Sequence, residues 1–198
     1  MRRTYANGGR LRVIQIRGCN ASGKTTCVNG FIKANGLELQ DYVIDGKNVM
    51  MTTNKDHSII VLGRYDKKIG GCDLFGSTKI VVKAITTAIK EYKPKLIIFE
   101  GMIYSKSMKF AETLQSLLRG FGYKYSSVYL YRTLGNTIDL LDKRSGGGYS
   151  KENLVATYKN CFGVYRKLAL ARYDIKKVDV DELSYEQTEN ILQEYLDG

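Results

Sequence analysis

Proline and histidine each occur once in the 198 residues, and tryptophan is missing. The four cysteines, Cys19, Cys27, Cys72 and Cys161, contain no C-x-x-C pair. With His57 the single histidine, that scatter excludes a zinc centre as the organising feature. At this length a disulfide framework is not expected either, so the thiols point to a reducing cytoplasm. No apolar run approaches the ~20 residues of a membrane span, which argues against a membrane partner. Residues 1–10 lack an apolar core and read as a short mobile basic arm, not a secretory signal. Acidic residues are also scarce: 20 Asp and Glu stand against 31 Lys and Arg, for a net charge of +11. A surplus of this size is explained by a polyanionic partner such as nucleic acid. No repeat, low-complexity tract or linker divides the chain, so residues 1–198 are expected to form one domain.

Against that background stands Gly18-Cys19-Asn20-Ala21-Ser22-Gly23-Lys24-Thr25, which fills every position of G-x-x-x-x-G-K-[ST], the phosphate-binding P-loop. An apolar strand over 11–16 precedes it. A helical pattern over 24–35 follows, with Gly36 at its stop. Gly18 and Gly23 let the backbone close around a ligand. The amides of Asn20, Ala21, Ser22, Gly23, Lys24, Thr25 and Thr26 then face phosphate oxygens at the positive end of a helix. In this motif Lys24 reaches the β- and γ-phosphates of ATP and the Thr25 hydroxyl ligates Mg²⁺. Cys19 is read as a tolerated small residue of the loop, not a nucleophile.

Further elements alternate along the chain. Strands are expected near residues 13, 43, 97, 128 and 178, with helices over 77–92, 105–119, 136–144, 151–173 and 184–196. Segments 48–53 and 58–63 read as an inserted β-hairpin (about 47–63) turning at 54–57. The fold class is therefore α/β: a three-layer P-loop NTPase sandwich around a five-stranded parallel sheet, with a hairpin insertion and a lid. Ligands of such sheets gather at the carboxyl ends of the strands, where Gly18, Asp45 and Glu100 fall.

Glu100 follows four apolar residues on its strand, the Walker-B-like place for an acid that serves Mg²⁺ or orients the attacking hydroxyl. Asp45 ends another strand and is a candidate general base, with an Asp-Gly turn as the plain alternative. Asp73, in the glycine-rich loop 63–76 with Arg64, is its rival, and both are candidates for acceptor binding. Lys143 and Arg144, followed by Ser145-Gly146-Gly147-Gly148, read as the cationic tip of a lid over about 143–150, with Arg144 placed at the transferring phosphoryl group. The plain alternative is their pairing with a helix C-terminal dipole. Arg132, at a strand end, is a candidate nucleotide contact. The 15 tyrosines supply faces for an extruded base, although strands and core account for many of them.

Taken together, the P-loop, Phe99-Glu100-Gly101 and the 143–148 segment resemble P-loop kinases of the nucleotide-kinase type. The finer run of Leu62-Gly63-Arg64-Tyr65, Gly70-Gly71-Cys72-Asp73 and Phe99-Glu100-Gly101 resembles the phage 5-hydroxymethyluracil DNA kinases. That resemblance implies an ATP- and Mg²⁺-dependent transfer of the γ-phosphoryl to the hydroxymethyl group of a modified thymine in DNA. It also implies a location in the cytoplasm of an infected bacterium. Two alternatives stand beside it: a kinase of free nucleotides or nucleosides, and a nucleotide-switched DNA-binding module.

Overall fold

The computed structural model describes residues 11–44, 46–65, 70–146 and 148–197. The basic arm and Asp45 lie outside them. Arg12–Arg17 form β1 and Lys24–Ala34 form α1, joined by the P-loop. There follow β2 (Glu38–Ile44), β3 (Lys47–Thr53), β4 (Ile59–Leu62), a 3-10 turn (Cys72–Phe75), α2 (Thr78–Tyr92) and β5 (Leu96–Glu100). Then come α3 (Met102–Ser105), α4 (Met108–Gly120), β6 (Lys124–Tyr131), α5 (Leu134–Ser145), α6 (Lys151–Leu170), β7 (Ile175–Asp179) and α7 (Tyr185–Asp197).

The strands form one seven-stranded sheet in the order β2-β3-β4-β5-β1-β6-β7, not the five-stranded sheet expected. Its parallel part runs β4-β5-β1-β6-β7, and β2 and β3 extend it as an antiparallel edge. Two expectations exchange places here. Segment 58–63 was expected only in a hairpin, yet its core, β4, is buried at every position and pairs parallel with β5. The strand before Asp45, β2, buries only Ile44 and lies at the outer edge, hairpinned to β3. The reason is compositional. Ile59-Ile60-Val61-Leu62 is apolar on both faces and suits a strand covered on both sides. Glu38, Gln40 and Asp41 tolerate only an edge.

Alternation along β1 supplies both cores. Val13 packs with α2 and α4 through Val81, Ile85, Phe110 and Leu114. Ile14 and Ile16 pack on the other face with Val28 and Phe31 of α1 and Ile191 and Leu192 of α7. Gly30 lets α7 lie directly on α1, since a Cβ there would meet the Glu189 carbonyl oxygen at 2.4 Å. The expected caps form. Ser77 accepts from the Ile80 amide, and Ser184 and Gln187 make a reciprocal capping box. The helix expected over 105–119 is interrupted, because Ser107 caps α4 and leaves α3 as a separate turn. Among the described residues, no helix is long and apolar enough to cross a membrane.

Candidate active site

The P-loop closes between the carboxyl ends of β5 and β6, the two neighbours of β1. Its backbone turns through positive φ at Gly18 (147°), Ala21 (55°) and Gly23 (89°). Gly18 is obligatory, since a Cβ would lie 2.4 Å from Ser22 Oγ and 2.7 Å from the Leu130 carbonyl oxygen. Lys24 begins α1 and is buried, with Nζ donating to the Cys19 carbonyl at 2.7 Å. Cys19 is buried as well, and that burial pushes its thiol pKa up.

Glu100, the last residue of β5, accepts the Thr25 hydroxyl at 3.0 Å. The carboxylate is 2 % exposed. Burial raises its pKa above the ordinary value, and Lys24 and the Thr25 hydroxyl pull it part of the way back. A hydroxyl and a carboxylate on adjacent elements are the hard oxygen donors that Mg²⁺ takes. That ion keeps several waters and needs few protein ligands. The donor set fits Mg²⁺, and among the described residues no group of three metal-binding side chains competes for it.

Gly70 and Gly71, in the loop after β4, lie against this pair. The neck of that loop is closed by the Gly71 amide donating to the Arg64 carbonyl at 2.9 Å and by Gly63 packed on Gly71. Gly71 adopts φ 82°, and a Cβ there would lie 2.4 Å from Glu100 Oε1. Gly71→Ala therefore strains the backbone and collides with the carboxylate. It should lower kcat far more than nucleotide affinity and destabilise the fold by about 1–3 kcal/mol, as turnover and thermal unfolding will read.

Asp73 sits in the 3-10 turn that ends this loop, close enough for its charge to help raise the Glu100 pKa. Its Oδ2 accepts the Met102 amide at 2.8 Å and Oδ1 the Ile103 amide at 3.1 Å. Both oxygens thus fasten the 3-10 turn to α3. Arg64 lies at the loop neck and Arg144 is exposed in the last turn of α5. Arg132 donates Nε to the Ala21 carbonyl at 3.1 Å and Nη2 to that of Val180 at 3.2 Å, tying the P-loop to the end of β7. The geometry thus assembles Gly18–Thr26, Glu100 and Arg132 about one loop. Asp73 lies beside this cluster, against Gly101, with both oxygens bound to α3, and Arg144 is exposed at the end of α5. The strand before Asp45 lies four strands from β1, roughly 19 Å at the usual spacing.

Three residues at the site escaped the sequence reading. Ser105 Oγ accepts the Gly18 amide at 3.3 Å and donates to the Gly101 carbonyl at 2.8 Å, bridging the P-loop and the Glu100 turn. Arg17, 1 % exposed, lies beneath, donating to the Ser105 carbonyl and the Tyr125 hydroxyl. Asp181 accepts the Thr133 amide at 3.0 Å and pairs with Arg132 at 3.6 Å. Burial pushes its pKa up, but hydrogen bonds from Asn136 and Thr133 together with Arg132 outweigh that, and the carboxyl stays below its usual range. An acid immediately after the last strand was the one available signal.

A phosphate loop, a buried acid on the next strand and a hydroxyl between them, at the rim of a parallel sheet, define a P-loop phosphotransferase. The model of a family described as 5-hmdU DNA kinase matches residues 3–163, and the chain belongs to that family. It is 24% identical over 179 residues to the 5-hmdU DNA kinase of Pseudomonas phage PaMx11, spanning 86% of this chain and 92% of the relative. It is also 24% identical over 170 residues to the 5-hmdU DNA kinase of Pseudomonas phage M6, spanning 81% and 87%. In fold it is similar to the deoxyadenosine kinase of M. mycoides solved with dCMP and dCDP, at a TM-score of 0.50 and 17% identity, over 93% of this chain and 98% of that one.

Proposed function

We propose that this chain transfers the γ-phosphoryl of ATP to the hydroxymethyl hydroxyl of 5-hydroxymethyluracil within DNA, in the cytoplasm of a phage-infected bacterium. The observation that carries the chemistry is the 3.0 Å contact of Thr25 with the buried Glu100 at the P-loop. The acceptor is supported by family membership and by the surplus of 11 positive charges.

In this reading the acceptor oxygen attacks Pγ, the bond from Pγ to the β–γ bridging oxygen breaks, and ADP leaves with the electron pair. Glu100 receives the acceptor proton, a role suited to a carboxyl whose pKa burial has raised. Thr25 would hold Mg²⁺, with Glu100 serving its water shell and so left free to take the proton; the ion when bound neutralises phosphate charge. Lys24 and the loop amides bind the β- and γ-phosphates, and Arg132 steadies the loop beneath the nucleotide. Lys143 and Arg144, at the α5 tip, add lid cations to the transferring group. Asp73 holds the acceptor wall in place instead of acting as base.

Salt dependence tests the acceptor. Four to six phosphate contacts should cost hydroxymethyluracil oligonucleotides on the order of 10²–10³-fold in kcat/KM between 50 and 200 mM salt. A free hydroxymethyl-dUMP acceptor, with few charges, should lose far less. Equal salt sensitivity of the two, with the monophosphate the better substrate, would favour a nucleotide kinase instead.

A further inference from the structure

Two large apolar side chains stand exposed in the turns beside Glu100, Leu74 at 54 % and Ile103 at 40 %. Single exposed apolar residues are ordinary on protein surfaces. These two differ in how they are held. Each is the exposed member of a turn that sends other apolar residues into the core: Cys72 and Phe75 beside Leu74, and Tyr104 beside Ile103. Three hydrogen bonds lock the two turns together. Asp73 accepts the Met102 and Ile103 amides, and the Tyr104 hydroxyl donates to the Cys72 carbonyl at 2.9 Å. The turns are therefore one rigid unit, set beside Glu100: Gly71, next to the first turn, lies against its carboxylate, and the second turn begins two residues after it. Lys106 and Lys109 follow in the α3–α4 junction and the first turn of α4, placing positive charge beside them.

A base paired in duplex DNA cannot present its hydroxymethyl group to a buried carboxylate. It must first leave the stack, at a cost of a few kcal/mol. Proteins that open base steps do so with rigid apolar side chains inserted into the stack beside cationic phosphate contacts. We infer that Leu74 and Ile103 form an apolar wedge that occupies the space vacated by the extruded acceptor base and holds the duplex open. The wedge rests on the DNA-acceptor reading and adds to it a device for paired substrate. Asp73 is its fastening, which explains why both oxygens of an acid so close to the site are bound to backbone amides.

The test compares paired and single-stranded oligonucleotides carrying one 5-hydroxymethyluracil, with wild type and the Leu74→Ser/Ile103→Ser double variant. Both side chains are exposed, so thermal unfolding should be near that of wild type. The wedge predicts that the ratio of paired to single-stranded kcat/KM falls at least about tenfold in the variant, because single strands have no stack to open. A 2-aminopurine beside the target should brighten on binding wild type without ATP, and much less on binding the variant. An unchanged ratio and an unchanged fluorescence rise would overturn the wedge while wild-type labelling of both oligonucleotides leaves the DNA-kinase reading standing. Failure of wild type to label either oligonucleotide would sink that reading and the wedge with it.

Discussion

Lys24→Met should lower kcat on the order of 10²–10³-fold, the loss typical of one preorganised donor to developing charge. Methionine keeps the buried stem of a side chain that is 8 % exposed, so packing around α1 should survive. The ammonium it removes donates to the Cys19 carbonyl at 2.7 Å, inside the curve of the P-loop, where transferred phosphate oxygens are bound. Single-turnover rates and thermal unfolding should be read on the same preparation. A folded variant with near-normal turnover would contradict the assignment of the loop to catalysis.

Glu100→Gln should do two opposite things at once. It should lower kcat by about 10²–10⁴, the usual contribution of a positioned base, while ATP affinity changes much less. It should also make the protein more stable at neutral pH. Burial raises the pKa of Glu100 in the folded state above the ordinary 4.5, so the folded chain holds this proton more tightly than the unfolded chain does. The stabilisation linked to that proton is complete below the unfolded value and is lost as pH rises through the folded one. At neutral pH the buried charge is therefore a burden on stability that glutamine relieves, while still accepting the Thr25 hydroxyl. Activity follows the opposite course, because the ionised form is the base. In the metal-free protein the loss of stability should set in above pH 4.5, whereas turnover needs Mg²⁺ beside the same carboxylate and the ion favours its charged form. Melting temperature and kcat measured from pH 4.5 to neutrality, for both proteins, separate the two effects. A variant that loses both stability and ATP affinity would make Glu100 a structural residue.

The parts of this site that sequence reveals are the ones made by neighbours in the chain. Gly18 to Thr25 carries its own conformation, because the glycines, lysine and hydroxyl act within eight residues. Glu100 was visible because an acid ending Leu96-Ile97-Ile98-Phe99 is conspicuous against four buried apolar residues. What remained hidden depends on long-range pairing. Nothing local in Asp73 states that its carboxylate will cap a turn 29 residues later. Ser105 becomes notable only when its hydroxyl meets Gly18, 87 residues away. The exchange of β2 and β4 has the same origin. Both segments read as strands, and their apolar content, unbroken in β4 and interrupted by Glu38, Gln40 and Asp41 in β2, decides which enters the parallel core. That exchange moves β2 to the sheet edge, and Asp45 after it lies outside the described residues.

The most direct measurement supplies γ-labelled ATP and Mg²⁺ to the protein with oligonucleotides that differ only in thymine or 5-hydroxymethyluracil at one position, beside free hydroxymethyl-dUMP. The label should enter the hydroxymethyluracil oligonucleotide and, after digestion to nucleosides and mild workup, should be found on the modified base and not on a terminal hydroxyl. Label confined to the free monophosphate, or equal label on the thymine oligonucleotide, would contradict the account.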